Sequence, residues 1–509
     1  MKKIKPILIT FLVLAGVTAG GYYFLTNQQK GPSGEIQNRI KEEQTDLGVD
    51  RAYRYDMGRS ATVLETAGEN KNVLNFQNKE IYRVTQSNAD RERLNRLIKR
   101  SDADLQNPII ALNPFGTNEN SFYFYFTTSY RCMIRYTITV EDESIPDHIR
   151  YVNNGRENNL ATQHEFVVSG LVPGKTNYII IEQLDTNGSK REEKIYQYTA
   201  PTGDAPIRIP VDQGYSKDTS KEGLFFVFPN EKKEILAYDN QGVLRNVTKT
   251  EGAHGKRIYQ SEDSVLYQVT DNKIARVSSL GRVLQTVEIT GYGSLDDFSY
   301  DGFDEVYAIA KKKNRSYLLA ASMNTGKQRV VYQFPKGVSA GSLSTPKGGQ
   351  VLLTASDPSG VICLDAITST RPRILFVMGQ KSQWNKKINK KKVLQDKEAA
   401  SWDTQDSQLA SVTEDTVSLL VGKKGKAAAL YGKLDTKKKK WNTLTVREVG
   451  GSTANTIQIW RDHLILTDMA EGNFAEYDAD GKVTRLFHYG SPVEAVVKLT
   501  LGGMCFYGI

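Results

Sequence analysis

The chain has 509 residues, a net charge of +9 and three cysteines. Roughly 480 residues beyond an apolar N-terminal segment exceed one ordinary core, so two or three domains are expected. The moderate positive charge favours contact with anionic surfaces, and no nucleic-acid partner is predicted. Cys132, Cys363 and Cys505 are too widely spaced, and too few, for a disulfide framework or a metal site, so we expect them to be buried apolar residues.

The first 30 residues predict a membrane segment. Lys2, Lys3 and Lys5 precede an uncharged, mostly apolar run from Pro6 to Leu25. Roughly 20 apolar residues cross a bilayer as a helix, and basic residues stay on the cytoplasmic side. Residues 1–30 are therefore predicted to be a single-pass signal anchor, with the membrane as a partner and the rest of the chain outside the cytoplasm. The alternative is a signal peptide cleaved after Ala19, which leaves a secreted protein.

Residues 31–106 are polar and are expected to form a linker or stem. Within them, residues 90–100 place Leu94, Leu97 and Ile98 at helical spacing. This pattern predicts one short amphipathic helix that packs on the next domain and has no chemical role.

Residues 107–205 predict an immunoglobulin-like β-sandwich. Segments rich in aromatic and β-branched residues, such as residues 121–127 and 177–182, alternate with turn sequences that contain Gly, Pro and Asn. Tyr178 follows one such turn and is expected to act as a corner residue whose hydroxyl bonds back to the backbone.

Residues 206–509 contain a loose repeat of an apolar strand, a turn and a second strand. A blade of four short strands needs roughly 40 residues, so the repeat predicts a six-bladed β-propeller. An irregular β-solenoid or barrel is the alternative. The six copies begin at Leu236, Ala275, Leu319, Val361, Leu430 and Phe474.

Few residues of the predicted propeller suggest chemistry. Residues 337–341 match the pattern of a hydrolase elbow around Ser339, but no helix is expected after the serine, so a loop is predicted. The acidic residues Asp296, Asp297, Asp301, Asp304 and Glu305 lack the spacing of a calcium loop and are interpreted as a solvated turn. No metal site and no cofactor is predicted.

Lysine runs are the clearest candidates for binding. Attraction to anionic envelope polymers or lipid headgroups is the functional interpretation, and a solvated face is the alternative. Trp384 borders the first run, which favours contact with a ligand or a surface. The lysines of that run are Lys386, Lys387, Lys390, Lys391 and Lys392.

Short motifs in the predicted sandwich are specific enough to suggest a family. They are Asn107-Pro-Ile-Ile-Ala-Leu-Asn-Pro-Phe-Gly, Phe122-Tyr-Phe-Tyr-Phe, Tyr136-Thr-Ile-Thr-Val, Ile145-Pro-Asp and Gly170-Leu-Val-Pro-Gly. In this order they resemble the N-terminal domain of bacterial aryl-sulfate sulfotransferases. The resemblance implies a sandwich followed by a six-bladed propeller. It also implies transfer of a sulfuryl group between phenols through a histidine, without a diffusible cofactor.

The histidines that the resemblance implies are missing here. Leu295, Asp296 and Asp297 stand where a His-His-Asp segment is expected, and Thr404 stands at a histidine position after Trp402. A Ser-Ser-Arg-His segment is expected near Gly422 and Lys423, where neither arginine nor histidine occurs. Trp402, Ser407 and Gln458 are retained, and Trp402 is a candidate binding residue.

We therefore expect a catalytically degenerate member of this family that acts as a binding or scaffold protein. The alternative is an active aryl-sulfate sulfotransferase with a rebuilt site, for which His463 and Arg461 are the weak catalytic candidates. His463 itself is expected to be an exposed turn residue, with both side chains outside the channel. The sequence makes no prediction of the oligomeric state.

Overall fold

The computed structural model describes most of the chain from residue 57 to residue 499. Its ranges are residues 57–76, 80–152, 160–214, 223–230, 232–252, 255, 257–260, 264–344, 350–366, 371–394, 402–412, 416–423, 426–435, 438, 440–448, 455–461 and 463–499. Between residues 402 and 459 it describes mainly the backbone of the strands. The predicted anchor at residues 1–30 and Cys505 lie outside the described residues.

The N-terminal unit is a sandwich built around one long strand. Aromatic and β-branched residues give this strand its β-propensity. The first half of β5 (Phe122–Val140) pairs with β3 (Ile109–Leu112) and β7 (Ala161–Val168), and its second half pairs with β6 (His148–Tyr151) and β8 (Thr176–Leu184), so one strand serves two layers. The strands are β1 (Thr62–Val63), β2 (Leu74–Asn75), β3 (Ile109–Leu112), β4 (Asn118–Glu119), β5 (Phe122–Val140), β6 (His148–Tyr151), β7 (Ala161–Val168), β8 (Thr176–Leu184) and β9 (Lys190–Thr199).

The core of this sandwich lies between the two layers. Phe124 and Phe126 of β5 are fully buried against Phe166 of β7, and Cys132 is buried with them. Tyr178 differs from the prediction, because its hydroxyl donates to the Glu141 carboxylate at 3.3 Å. The neighbouring Asn177 bonds the backbone of the turn instead, through Val172 and Lys175.

Six further sheets of four or five strands occur in the described residues. Their neighbouring strands pair antiparallel, except that the short strand at the edge of one sheet, Val393–Leu394, pairs parallel with Arg373–Gly379. Their strands are β10 (Val211–Gln213), β11 (Leu224–Pro229), β12 (Glu234–Tyr238), β13 (Leu244–Lys249), β14 (Ile258–Gln260), β15 (Ser264–Gln268), β16 (Lys273–Ser278), β17 (Val283–Glu288), β18 (Leu295–Tyr300), β19 (Glu305–Lys312), β20 (Arg315–Ser322), β21 (Gln328–Gln333), β22 (Ser339–Ser344), β23 (Gln350–Asp357), β24 (Ser359–Asp365), β25 (Arg373–Gly379), β26 (Val393–Leu394), β27 (Trp402–Val412), β28 (Thr416–Lys423), β29 (Lys426–Asp435), β30 (Lys440–Glu448), β31 (Asn455–Trp460), β32 (His463–Asp468), β33 (Asn473–Tyr477), β34 (Val483–His488) and β35 (Val493–Leu499).

This arrangement is a β-propeller, as predicted. Each of the six sequence repeats begins on the third strand of a sheet: β12, β16, β20, β24, β29 or β33. The last described strand, β35, pairs with β11 across the ends of this region, so strands far apart in sequence complete one sheet. The number of blades in one closed ring stays a prediction.

A helix and a short strand attach the sandwich to the propeller. Helix α1 (Val84–Ile98) contains the predicted helix and begins earlier than expected. Leu94 is fully buried beside Tyr123 and Tyr125 of the sandwich, while the Ser87 hydroxyl accepts a hydrogen bond from the Val283 amide of the propeller at 3.0 Å. Strand β4 extends the sheet of β13. Residues 57–60 are also helical, and further along the chain lie α2 (Lys381–Trp384) and a 3-10 turn at Lys390–Lys392.

Two expectations for the propeller need correction. Ser339 lies at the start of β22 and not in a loop, although no helix follows it. Asp297 is 6% exposed and lies in β18, so the acidic residues do not form one solvated turn.

Cys363, like Cys132, is a fully buried cysteine, as predicted. No helix in the described part of the chain is long and apolar enough to cross a membrane.

Candidate functional site

Each of the six propeller sheets has one of the strands β14, β18, β22, β27, β31 and β35 at one end, and we call these six the axial strands. Consecutive axial strands contact each other from β18 through β22, β27 and β31 to β35. The other axial strand is β14. None of these six strands contains a histidine.

The structure brings several predicted family positions to these strands. Leu295, Asp296 and Asp297 lie on β18, and Trp402 and Thr404 lie on β27. The backbone register places Lys423 opposite Trp402, and Gly422 opposite Asp403. The side chains of Trp402, Thr404, Gly422 and Lys423 lie outside the described residues, so their roles stay predictions.

An arginine that no sequence pattern indicated lies beside this axis. The Arg257 Nε donates to both oxygens of Asp297, at 2.9 and 3.0 Å. Asp297 also accepts the backbone amide of Leu343 on β22 at 2.8 Å. The carboxylate therefore connects three neighbouring blades, which explains its burial. Asp296, the residue before Asp297, is exposed and pairs with Lys311 at 3.4 Å.

His463 is not an exposed turn residue, so that expectation was wrong. It is 2% exposed at the start of β32, and its Nδ1 lies 2.8 Å from the Glu476 carboxylate. Arg461, which is exposed on the preceding turn, has its guanidinium 4.9 Å from the centre of the Trp460 ring. The structure thus separates the two weak catalytic candidates by burial.

His463 belongs to a buried charge cluster of His463, Glu476, Arg485 and Lys498. The Lys498 ammonium bonds one Glu476 oxygen at 2.8 Å, and Arg485 bonds the other at 3.1 Å. Glu476 and Lys498 are fully buried. Burial lowers the pKa of Lys498 to about 8, although Glu476 opposes the shift. Three basic side chains surround one carboxylate, which leaves the imidazole no open face toward a substrate.

Arg485 also reaches a cleft of about 800 Å³ between the sandwich and the propeller. Asp147, His148 and Arg150 line its sandwich side. The propeller side includes Arg208, Asn240 and Arg485. No sequence pattern indicated this cleft, because its walls come from segments far apart in the chain.

The lysine segment, residues 381–392, is only partly as predicted. Lys386 and Lys391 are exposed, while Lys387 and Lys392 donate to the backbone carbonyls of Lys336 and Ile374 at 3.2 and 2.6 Å. The side chain of Lys390 lies outside the described residues. Trp384 is fully buried and donates its indole N–H to the Ser359 carbonyl at 2.9 Å, so it is not a surface contact residue.

Two buried histidines occupy the sandwich. Burial lowers the pKa of His164 to about 4, and burial together with Arg150 and Arg245 holds the pKa of His148 well below its usual range. Both are neutral near pH 7. In the described parts of the chain, no group of three or more His, Cys, Asp or Glu side chains is arranged to hold a metal ion.

The sequence of the sandwich matches a known protein family. Residues 109–201 match the family described as the arylsulfotransferase Ig-like domain. The sandwich is therefore similar in sequence to an arylsulfotransferase Ig-like domain. The match confirms the resemblance read from the short motifs and supports membership of the arylsulfotransferase family. No curated protein matches the chain in sequence.

The solved structures that are similar to this chain have low TM-scores. A putative 6-phosphogluconolactonase from Bacteroides fragilis is 11% identical, with 72% of this chain and 98% of that chain covered and a TM-score of 0.36. TolB from Acinetobacter baumannii is 12% identical, with 63% and 79% covered and a TM-score of 0.34. A nidogen/laminin complex structure is 13% identical, with 54% and 97% covered and a TM-score of 0.35. At these scores none carries an argument about function.

Proposed function

We propose that the chain is a catalytically degenerate arylsulfotransferase-family protein that acts as a binding or scaffold protein. One observation carries the proposal: the axial strands contain no histidine, although the reaction implied by the family passes through one. Loss of the nucleophile removes the covalent route.

The positions of the histidines support this proposal. His148 and His164 lie in the sandwich, and His488 lies on the outer strand β34, 2.9 Å from Asp212. His463 is enclosed in the buried charge cluster. His254 lies outside the described residues, so it is the histidine that the experiment has to address separately.

The test is turnover by the full-length protein purified in detergent. Release of 4-nitrophenol from 4-nitrophenyl sulfate is followed in the presence of phenol, with an active arylsulfotransferase as the positive control. We expect no turnover above the buffer rate. Turnover that is lost in His463→Ala or His254→Ala would overturn the proposal and identify the replacement nucleophile.

The proposal includes a single-pass anchor at residues 1–30 and an extracytoplasmic body. Its support is the basic start and the apolar run of the sequence. Protease added to intact cells should degrade the body of the protein. Protection until the membrane is breached would contradict the orientation, and a mature chain that begins at Gly20 would show cleavage instead.

We also propose that the six sheets form one ring of six blades. The pairing of β35 with β11 supports it, because the two ends of this region then share one sheet. An experimental structure with five or seven blades would contradict this proposal.

We further propose that the exposed lysines of the lysine segment contact anionic envelope polymers.

A further inference from the structure

The cleft between the sandwich and the propeller is bordered by three guanidinium groups. Arg150 comes from β6, Arg208 from the segment before β10, and Arg485 from β34. Arg208 donates to the Ser144 carbonyl at 2.8 Å and is otherwise exposed. No ion pair of Arg150 or Arg208 occurs among the described residues. Only Arg485 has a carboxylate partner, which it shares with Lys498.

One of the two carboxylates that line the cleft is already paired with another arginine. Asp239 is held by Arg245, whose Nε lies 2.7 Å from its Oδ2, and its Oδ1 accepts the backbone amides of Gln241 and Val243. Its charge is therefore neutralised by a residue behind the wall. Asp147 is the other carboxylate that lines the cleft.

Two buried nitrogen atoms of the sandwich wall, one of them an arginine N–H donor, have no hydrogen-bond partner among the described residues. The Nε atom of Arg150 and the Nε2 atom of His148 are buried, with no hydrogen-bond partner in the described structure. The two residues are two positions apart on β6, so their side chains leave the same face of the strand, and both line the cleft. A buried donor without an acceptor is energetically unfavourable, so such groups in native proteins call for a partner.

The propeller wall is rigidly supported. Arg485 is fixed by Glu476 at 3.1 Å and by the Asn240 side chain at 3.0 Å. Glu476 is fixed in turn by His463 and Lys498, which are buried. A guanidinium held in one orientation loses little conformational entropy when it binds, which favours a preformed site.

We propose that this cleft is an oxyanion-binding site for a hydrophilic small molecule that carries a phosphate or carboxylate group. Guanidinium forks match both groups through paired hydrogen bonds. A bound oxyanion supplies an acceptor to Arg150 and offsets the charges of Arg150 and Arg208, while Arg485 keeps its Glu476 partner. The volume of about 800 Å³ falls in the usual range of small-molecule sites. The inference goes beyond the proposed function and holds whether or not the chain transfers sulfuryl groups.

The experiment is calorimetric titration of the full-length protein in detergent and low-salt buffer, with inorganic phosphate in one arm and citrate in the other. We expect one or both probes to bind at millimolar concentration or below. Because a hydrogen bond to a charged group contributes more than 1 kcal/mol, Arg150→Gln should weaken binding about tenfold. Arg208→Gln removes an exposed charge and should weaken it about threefold.

Arg191→Gln is the matched control. It removes the same charge from an exposed arginine of the sandwich that pairs with Asp185 and does not line the cleft. Its affinity should equal that of the wild type. Absence of heat from both probes, or equal weakening by all three variants, would overturn the proposal. If Arg150→Gln does not fold, as judged by its melting curve, the binding affinities of Arg208→Gln and Arg191→Gln still test the proposal.

Discussion

The buried charge cluster and the cleft share Arg485, yet their charged groups have opposite surroundings. In the cluster, Glu476 is surrounded by His463, Arg485 and Lys498, and every one of these side chains is nearly inaccessible. In the cleft, Arg150 and Arg208 line the walls, and neither has a carboxylate partner among the described residues. The same residue types thus build a closed structural network on one side of Arg485 and an open binding surface on the other.

This difference shows what a charged side chain of this protein requires to act on a ligand. Burial with complete pairing fixes a side chain, whereas partial burial with an unsatisfied donor leaves it available. His463 was the catalytic candidate by elimination, and it lies on the closed side. The following experiments test that contrast, from the largest expected effect to the smallest.

The largest effect is expected from Glu476→Gln. The substitution leaves Arg485 and Lys498 as buried cations without a carboxylate, which typically costs about 3–5 kcal/mol. Urea unfolding of the full-length protein measures it. The control is Asp212→Asn, which removes an exposed carboxylate beside His488 and should change stability by less than about 0.5 kcal/mol. Similar values for the two variants would mean that the cluster is not a structural network.

A smaller effect is expected when the pH is lowered, and it tests the buried His164 of the sandwich. The folded-state pKa of His164 is about 4, below the unfolded value of 6.5, because the side chain is buried. Below pH 6.5 the unfolded state binds the proton first, so stability falls as the pH decreases from 6.5 to 4. A shift of this size corresponds to roughly 3 kcal/mol.

His164→Asn should remove that part of the pH dependence. The measurement is the free energy of unfolding at pH 7 and at pH 4.5 for the wild type and the variant. His488→Asn is the control, because His488 is partly exposed on an outer strand. A wild-type stability that is flat across this pH range would contradict the assignment of a buried neutral imidazole.

A third effect on stability is expected at Gly170, which lies next to His148 of the cleft's sandwich side. A Cβ on Gly170 would lie 2.2 Å from Cδ2 of His148, and Gly170 also has a φ of +98°. Gly188 has a φ of +80° with no atom within 4 Å of the added Cβ. Gly170→Ala should therefore cost about 2 kcal/mol more than Gly188→Ala, since only the first adds a steric clash to the backbone strain. Equal melting temperatures for the two variants would mean that His148 is free to move.

The smallest effect is expected at the lysine segment and concerns binding alone. Lys386, Lys387, Lys390, Lys391 and Lys392 replaced together by Gln should weaken retention on a polyanion column. The exposed charges interact over about 10 Å at 0.1 M salt, so retention should also fall as salt rises. Substitution of Lys386 and Lys391 alone should account for most of the change, because Lys387 and Lys392 are tied to the backbone. Retention that does not change with salt would exclude this contact.

The sequence by itself determined the sandwich, the propeller and the family of the first domain. Local patterns are sufficient for these features, because alternating apolar residues and turn residues specify strands wherever they occur. The six repeats beginning at Leu236 and its counterparts also fall on equivalent strands for this reason. The absence of histidine from the axial strands is likewise a property of the sequence, once the strands are known.

Only the tertiary structure decided which charged groups are closed off and which are open. His463, Arg485 and Lys498 have no recognisable spacing, yet strands of two neighbouring sheets bring all three to the Glu476 carboxylate. The cleft unites β6 of the sandwich with Arg208 and Arg485, which are separated by hundreds of residues along the chain. Burial and pairing depend on what packs against a side chain from elsewhere in the fold, and a local sequence pattern contains no such information.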